Sequence, residues 1–262
     1  AGFRRDEFQL LLLQLPPLRG IAGMPDVLQR PARSEGVHLD RHEVAQPVGE
    51  ERLLHAGPGR SHRPALRIRL DRWRGRLRRR ILDWTPTIVG ISALTFTLLD
   101  ALDCASAVKE LFPHVPVVLG GPHATLYAVS SLRHHSQIDF VLKGEAELSF
   151  CLLIQALGGR GSLESIPGLV RRQQEHILEQ KTPGGAPSLD PLPFPARDLL
   201  DLDRYRSVLS GARRVTTMIT GRGCPCRCGF CYAQAMHQLK WRPHSLDYLA
   251  DAKQEIEKQV RP

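Results

Sequence analysis

Lysine is missing from the amino-terminal part of this chain; the first one is Lys109. Positive charge there is carried by arginine, concentrated between Arg60 and Arg80. Such lysine-free, arginine-rich, proline- and glycine-spotted text is what coding-strand bias, or a shifted frame, produces. Aromatic residues are scarce as well, at 6%. The formal charge of +9 alone would suggest a polyanion partner. Trp73 and Trp84 are the only aromatics near the arginines, so no stacking platform for bases is evident and nucleic acid is not an expected partner. An arginine-rich helix from Asp71 to Leu82 with a solvated face accounts for the run. No apolar stretch is long enough to cross a membrane. The best candidate, Thr87 to Leu99, is bracketed by Asp83 and Asp100 and reads as a buried strand followed by a helix start. Leu10 to Leu13 is too short for a signal-peptide core. The expected location is cytoplasmic and reducing, where disulfides are rare.

Cysteine is the exception to this sparseness. Four of six cysteines fall within Gly223-Cys224-Pro225-Cys226-Arg227-Cys228-Gly229-Phe230-Cys231-Tyr232. Structural thiols are usually scattered singly through a core. Two readings of the cluster are open. In the first, Cys224, Cys228 and Cys231 form C-x3-C-x2-C and Cys226 is spare. Thiolates are the ligands an iron–sulfur cluster requires. Three of them hold three irons of a four-iron cube and leave the fourth open, as catalytic metal sites keep an open position. In the second, all four thiolates close around a structural zinc. Zinc sites of that kind usually take two separated ligand pairs, and no second C-x-x-C pair exists here.

With Phe230 as the aromatic, C-x3-C-x-aromatic-C resembles the signature of radical S-adenosylmethionine (radical SAM) enzymes. The resemblance implies a [4Fe-4S] cluster on Cys224, Cys228 and Cys231, with S-adenosylmethionine chelating the open iron. In that family the reduced cluster cleaves the sulfonium to a 5′-deoxyadenosyl radical. Phe230 and Tyr232 would shape the adenine pocket. Val215 to Gly223 reads as a β-branched strand ending in a glycine turn, and resembles the family's first barrel strand, which the cluster loop follows.

Upstream, the text reads as α/β. Phe8 to Leu15, closed by Pro16-Pro17, has the look of a buried parallel strand. Residues 19 to 80 lack periodicity; His38-Leu39 and Val44 are candidates for a second strand. From Ile81 the pattern is regular. Strands are expected at Pro86–Ser92, Val115–Leu119 and Asp139–Glu145. Helices are expected at Leu98–Phe112, Tyr127–Leu132 and Ala146–Leu157, the last stopped by Gly158-Gly159. Cys104 and Cys151 lie on these helices as core filler. The alternation predicts a Rossmann-like, doubly wound parallel sheet with helices on both faces. Ligands on such sheets sit beyond the carboxyl ends of the strands. That singles out the loops Ser92–Thr95, Gly120–Thr125 and Gly144–Glu147.

Those loops, written V-G-I-S-A-x-T, V-V-L-G-G-P-H-A-T and D-F-V-x-x-G-E-x-E, look like the cobalamin-binding domain that precedes the radical SAM core in one large subfamily. The resemblance implies that Ser92, Thr95, Gly120 and Gly121 contact the nucleotide tail of cobalamin. His123 is in the right loop, as a ligand or as a turn residue. The cobalt-ligand motif D-x-H-x-x-G is absent; Asp40-Arg41-His42 begins like it, but no glycine follows at the needed spacing. A generic doubly wound domain without cofactor is the alternative for this half.

Ile166–Arg172 with Ile177-Leu178 suggests a hairpin, and Pro183–Pro187 a linker. Leu189 to Asp198 is an extended proline-rich segment that resembles the subfamily's connector. After Tyr232 a helix is expected to about Gln238, then a turn at Trp241–Ser245, then a helix capped by Ser245 whose apolar stripe runs from Leu246 to Val260. Arg242 is read as a surface ion-pair residue, or one that approaches S-adenosylmethionine. The expected organisation is a cobalamin-binding domain over 1–160, hairpin and linker over 161–210, and the beginning of a partial (β/α) radical SAM barrel over 211–262. A complete barrel needs on the order of 200 residues, so the chain reads as a fragment of a longer protein. The resemblance implies radical methyl transfer to a small-molecule substrate, with an electron donor such as flavodoxin or ferredoxin. An anaerobic oxidative cyclase of the magnesium-protoporphyrin ester type, and a non-enzymatic cobalamin-binding module with a zinc-stapled tail, are the alternatives.

Overall fold

The computed structural model describes residues 9–13, 34–37, 75, 77–79, 81–83, 85–181, 188–197, 202–205, 214–237 and 240–260. Seven strands form one sheet: β1 (Gln9–Leu13), β2 (Ser34–Val37), β3 (Ile88–Ser92), β4 (Val117–Gly120), β5 (Phe140–Leu142), β6 (Leu169–Gln173) and β7 (His176–Glu179). Their spatial order is β2-β1-β3-β4-β5-β6-β7. Helix α1 (Leu98–Leu111) connects β3 to β4, α2 (Gly121–His134) connects β4 to β5, and α3 (Glu147–Leu157) follows β5.

Alternation along the strands explains the two-faced packing. Val89, Ile91, Val117, Leu119 and Val141 pack with α1 and α2 in one core, into which Ala105, Val108 and Leu132 project. Ile88, Val118 and Leu142 point the other way, against Leu153 and Ile154 of α3. A period of two in the strands thus feeds two separate cores. The run β3-α1-β4-α2-β5 moves steadily in one direction across the sheet. Right-handed crossovers then place α1 and α2 on the same face, leaving the opposite face for α3.

This Rossmann-like α/β arrangement matches the expectation, with helices on both faces. The sheet is mixed, however. Only β3, β4 and β5 are parallel. β1 runs antiparallel to β3 and also to β2, which corrects the expected parallel orientation of the amino-terminal strand. A short run of consecutive leucines reads the same in either direction, so the sequence could not decide it. The second strand is Ser34–Val37; His38, Leu39, Val44 and Asp40-Arg41-His42 lie outside the described residues. The hairpin β6–β7 turns at Gln174 (φ 52°) and pairs β6 antiparallel with β5, so it extends the sheet.

The arginine-rich stretch is helical at the described positions 75, 77–79 and 81–83. Leu77 and Ile81, one turn apart, are fully buried in the α1–α2 core. Arg78 faces outward and pairs with Glu110 at 2.8 Å. The stretch is therefore amphipathic and docked. Burying each such side chain contributes about 1.5–3 kcal/mol.

Helix α2 begins earlier than its periodicity suggests. Pro122 sits in its first turn, where a missing N–H costs nothing. A non-helical residue, Tyr127 (φ −127°, ψ 34°), kinks it, which is why only the second half was readable. In the carboxyl-terminal part, β8 (Gly221–Arg222), α4 (Ala233–His237), β9 (Arg242–Pro243) and α5 (Leu246–Val260) follow. The expected strand Val215–Gly223 is reduced to the two residues of β8. Buried Arg197 explains much of this: its guanidinium donates to Thr216 Oγ1 at 3.1 Å and to the Thr217 carbonyl at 2.8 Å. Ser245 caps α5, accepting the Tyr248 N–H at 3.1 Å. Asp190 in turn accepts the Ser245 N–H at 3.0 Å, and His244 stacks on Tyr248 with ring centroids 3.9 Å apart. The proline-rich connector is thereby fastened to α5.

Candidate functional site

The carboxyl ends of β3, β4 and β5 open into a cavity of about 750 Å³. Its floor is the face of the sheet that carries Gly90, Val118 and Leu142. Ser92, Gly120 and Gly121 line one wall, Gly144–Glu147 and Phe150 a second, and Ile219, Gly221–Gly223 and Met236 a third. The cavity therefore joins the sheet to the segment that leads into Cys224.

Each wall has a local cause. Gly121 has φ +87°, and a Cβ there would lie 2.6 Å from Ser92 Oγ and 3.0 Å from the Ala93 backbone. Only glycine lets β4 turn into α2 so close to the loop after β3. That closeness is fixed by Ala93 N–H donating to the Gly120 carbonyl and His123 N–H to the Ala93 carbonyl, both at 3.0 Å. Gly120 is different. Its φ of −132° suits any residue, and a Cβ on it would meet nothing within 4 Å. The Thr125 hydroxyl donates to the Gly121 carbonyl at 3.0 Å and accepts the Gly144 N–H at 2.9 Å, holding two of the walls together.

Thr95 does not line the cavity. It opens the short 3-10 turn Thr95–Thr97, and its hydroxyl lies 3.2 Å from His123 Nδ1. His123 is buried, its ring 5.1 Å from that of Tyr127. Burial, and then the charge of His135, lowers its pKa. It sits in the first turn of α2, with its N–H bonded to the Ala93 carbonyl.

The cysteine loop lies beyond the cavity's third wall. It starts at Gly223, a residue with φ +90°. Cys226 and Cys228 are exposed, Cys224 and Cys231 partly so, and all are free thiols. The Cys231 N–H donates to the Cys228 carbonyl at 3.1 Å, forming a turn. A hydrogen bond with Cys224, then the charges of Cys224 and Cys228, push the Cys226 thiol up. Among the described residues, no three histidine, cysteine or acidic side chains converge to ligate a metal. The donor set itself suits a thiolate-ligated cluster; the loop would have to close around it. Phe230 is 94% exposed and Tyr232 also faces solvent, so neither forms a pocket wall here.

The sequence missed the residues that join these parts. Arg222 pairs with Glu147 at 2.7 Å and with Glu145 at 3.2 Å. Burial alone would lower its pKa, but Glu147 and Glu145 outweigh that and raise it. Arg242, expected at the surface, is buried and paired with Glu145. No local pattern announces contacts spanning 77 and 97 positions.

Residues 70–154 match the family model of the B12 binding domain. The match covers about a third of the chain. The matched span runs from the arginine-rich helix through β3, β4, β5 and into α3, so it contains two of the cavity's walls. Among curated relatives, an uncharacterized methyltransferase of Pyrococcus horikoshii is 34% identical over 167 residues, 64% of this chain and 36% of that protein. The cobalamin-dependent radical SAM methyltransferase TokK of Streptomyces tokunonensis is 30% identical over 149 residues, 56% of this chain and 22% of that protein. The chain thus spans about a third or less of the length of these relatives. Among solved structures, the radical S-adenosylmethionine methyltransferase TsrM from Kitasatospora setae, with cobalamin and a [4Fe-4S] cluster bound, matches 74% of this chain and 39% of its own. Its TM-score is 0.54 at 20% identity, a likeness of fold.

Proposed function

We propose that the chain is the cobalamin-binding and cluster-loop part of a radical SAM methyltransferase. The observation that carries the reading is the shared cavity: loops after β3, β4 and β5 form one side of it, and the lead-in to Cys224 forms the other. Cobalamin would enter from the carboxyl edge of the sheet, as ligands do on such folds. Gly120 leaves open space where a side chain would intrude, Ser92 offers a hydroxyl, and Val118, Leu142 and Phe150 supply an apolar floor. Cys224, Cys228 and Cys231 would hold a [4Fe-4S] cluster through their thiolates, with S-adenosylmethionine on the open iron beside Phe230 and Tyr232. When bound, the cluster supplies an electron to S-adenosylmethionine and the corrinoid supplies a methyl group.

The remaining roles belong to the chain. The sheet edge excludes water from the corrinoid tail, and the glycines permit close backbone approach. Such a protein needs a small-molecule substrate, a reducing cytoplasmic setting and an electron donor such as flavodoxin or ferredoxin. No helix among the described residues is long and apolar enough to cross a membrane. The test is anaerobic reconstitution with iron, sulfide and hydroxocobalamin, followed by assay of each per chain. The expected result is a brown protein holding both sulfide and corrinoid. A colourless protein with one zinc and no corrinoid would sink the proposal.

A further inference from the structure

We infer that Glu145 is a positioning residue whose carboxylate clasps Arg222 and Arg242, fixing both stems of the cysteine loop over the sheet's carboxyl edge. Arg222 lies in β8, two residues before Cys224, and Arg242 lies in β9. These two arginines are paired residues of one antiparallel ribbon, Arg222 opposite Arg242 and Gly221 opposite Pro243. The ribbon therefore closes the loop that contains all four clustered cysteines. It is only two residues long on each side, and a two-stranded ribbon is marginal by itself even when longer. One further backbone bond, His244 N–H to the Thr220 carbonyl at 2.9 Å, extends it.

Glu145 comes from elsewhere, the loop just after β5. Each carboxylate oxygen takes one arginine: Oε2 accepts from Arg222 at 3.2 Å, and Oε1 accepts from Arg242. The Glu145 and Arg242 side chains are each 9% exposed. Removing one member of a buried ion pair leaves the other's charge uncompensated, which is far costlier than losing an exposed pair. Glu147 assists on the exposed side of Arg222. Residues 225–230 all face solvent, so the cysteine segment is held at its flanks, by the ribbon on both sides and by α4, whose Met236 lines the cavity. One carboxylate in the loop after β5 thus helps set where the thiols stand relative to the cavity. What the loop holds rests on the function proposed above; the clasp itself does not.

The experiment compares the whole chain with Glu145→Gln, Glu145→Asp, Arg242→Gln and the double variant Glu145→Gln/Arg242→Gln. In Glu145→Gln, amide exchange at Gly221, Arg222 and His244 is expected to quicken about tenfold as the ribbon opens locally. Alkylation of Cys224 is expected to quicken with it, while amides of β3–β5 and the buried Cys104 stay protected. The double variant should fall short of the sum of the singles, since the Glu145–Arg242 contact is common to both. Glu145→Asp, which keeps the charge, should recover part of the protection. Iron retained after anaerobic reconstitution should fall in Glu145→Gln and partly return in Glu145→Asp. Unchanged exchange in the ribbon overturns the inference, as does full additivity in the double variant. Should Glu145→Gln also unprotect Cys104, Arg242→Gln decides, because it lies outside the sheet: quickening confined to the ribbon supports the clasp, and none overturns it. If the ribbon opens as expected but no version takes up iron, the clasp stands and the cofactor reading falls.

Discussion

Thr125 and Gly144 are joined by a hydrogen bond of 2.9 Å from the Gly144 N–H to the Thr125 hydroxyl, which itself donates to the Gly121 carbonyl. A single side chain in α2 thereby spans the loops after β4 and β5. Thr125→Val keeps the shape and deletes both bonds, leaving a part-buried amide short of a partner. The expected loss is about 1–3 kcal/mol of unfolding free energy, read by urea denaturation. Thr125→Ser should lose much less. Equal stability of the valine variant and the parent would show that the two loops are held by packing alone.

The two glycines at the junction of β4 and α2 should respond in opposite ways. Gly121→Ala combines a left-handed backbone with a Cβ 2.6 Å from Ser92 Oγ, so it should destabilise the fold by about 1–3 kcal/mol. Gly120→Leu meets open space and an extended backbone. It should leave the melting temperature nearly unchanged and weaken hydroxocobalamin binding by about tenfold or more, equivalent to about 1.4 kcal/mol. A titration that finds Gly120→Leu binding as the parent does would move the corrinoid away from this wall.

Stability should also fall on mild acidification. His123 and His135 both have lowered pKa values, each chiefly from burial. Between the lowered folded value and the ordinary value of 6.5, the unfolded chain binds more protons than the folded one. Unfolding free energy therefore rises with pH in that window. It is complete above the unfolded value and is lost as pH drops through the folded one. Urea midpoints at pH 7.5 and pH 5 should differ, and His123→Gln should shrink the difference. A midpoint independent of pH in the parent would remove both histidines from the account.

How much of this was legible follows from the range of each interaction. The apolar runs at β3, β4 and β5 and the helical spacing of α1 and α3 are local signals, and the structure carries them at nearly the expected bounds, except that β5 is only Phe140–Leu142 rather than Asp139–Glu145. The loops at Ser92, Gly120 and Glu145 were legible because topology alone sends ligands to that edge. Strand direction was not, since Leu10 to Leu13 would pack equally well in β1 run either way. Val215 to Thr220 has the composition of a strand, yet buried Arg197 takes the Thr216 hydroxyl and the Thr217 carbonyl. A tertiary contact overrode a propensity there. The burial of Arg242 was hidden for the same reason. An arginine in a polar turn reads as solvated, and only the fold brings Glu145 to it.

The spare thiol separates the two metal chemistries open to the cysteine loop. If Cys224, Cys228 and Cys231 hold a cluster, Cys226→Ser removes no ligand. Anaerobically reconstituted Cys226→Ser should then keep the iron and sulfide content of the parent, whereas Cys224→Ala, Cys228→Ala or Cys231→Ala should each lose most of it. If the four thiolates close on zinc, all four variants should lose the metal alike, because a structural tetrahedral site cannot spare a ligand. Cys226 is exposed and hydrogen-bonded only to a neighbouring thiol, so its replacement should not disturb the sheet, and Cys104→Ala serves as a control for thiol chemistry outside the loop. Metal analysis across the five variants assigns the ligands directly. A pattern in which Cys226→Ser is as empty as Cys228→Ala would remove the open iron position, and with it the site proposed for S-adenosylmethionine.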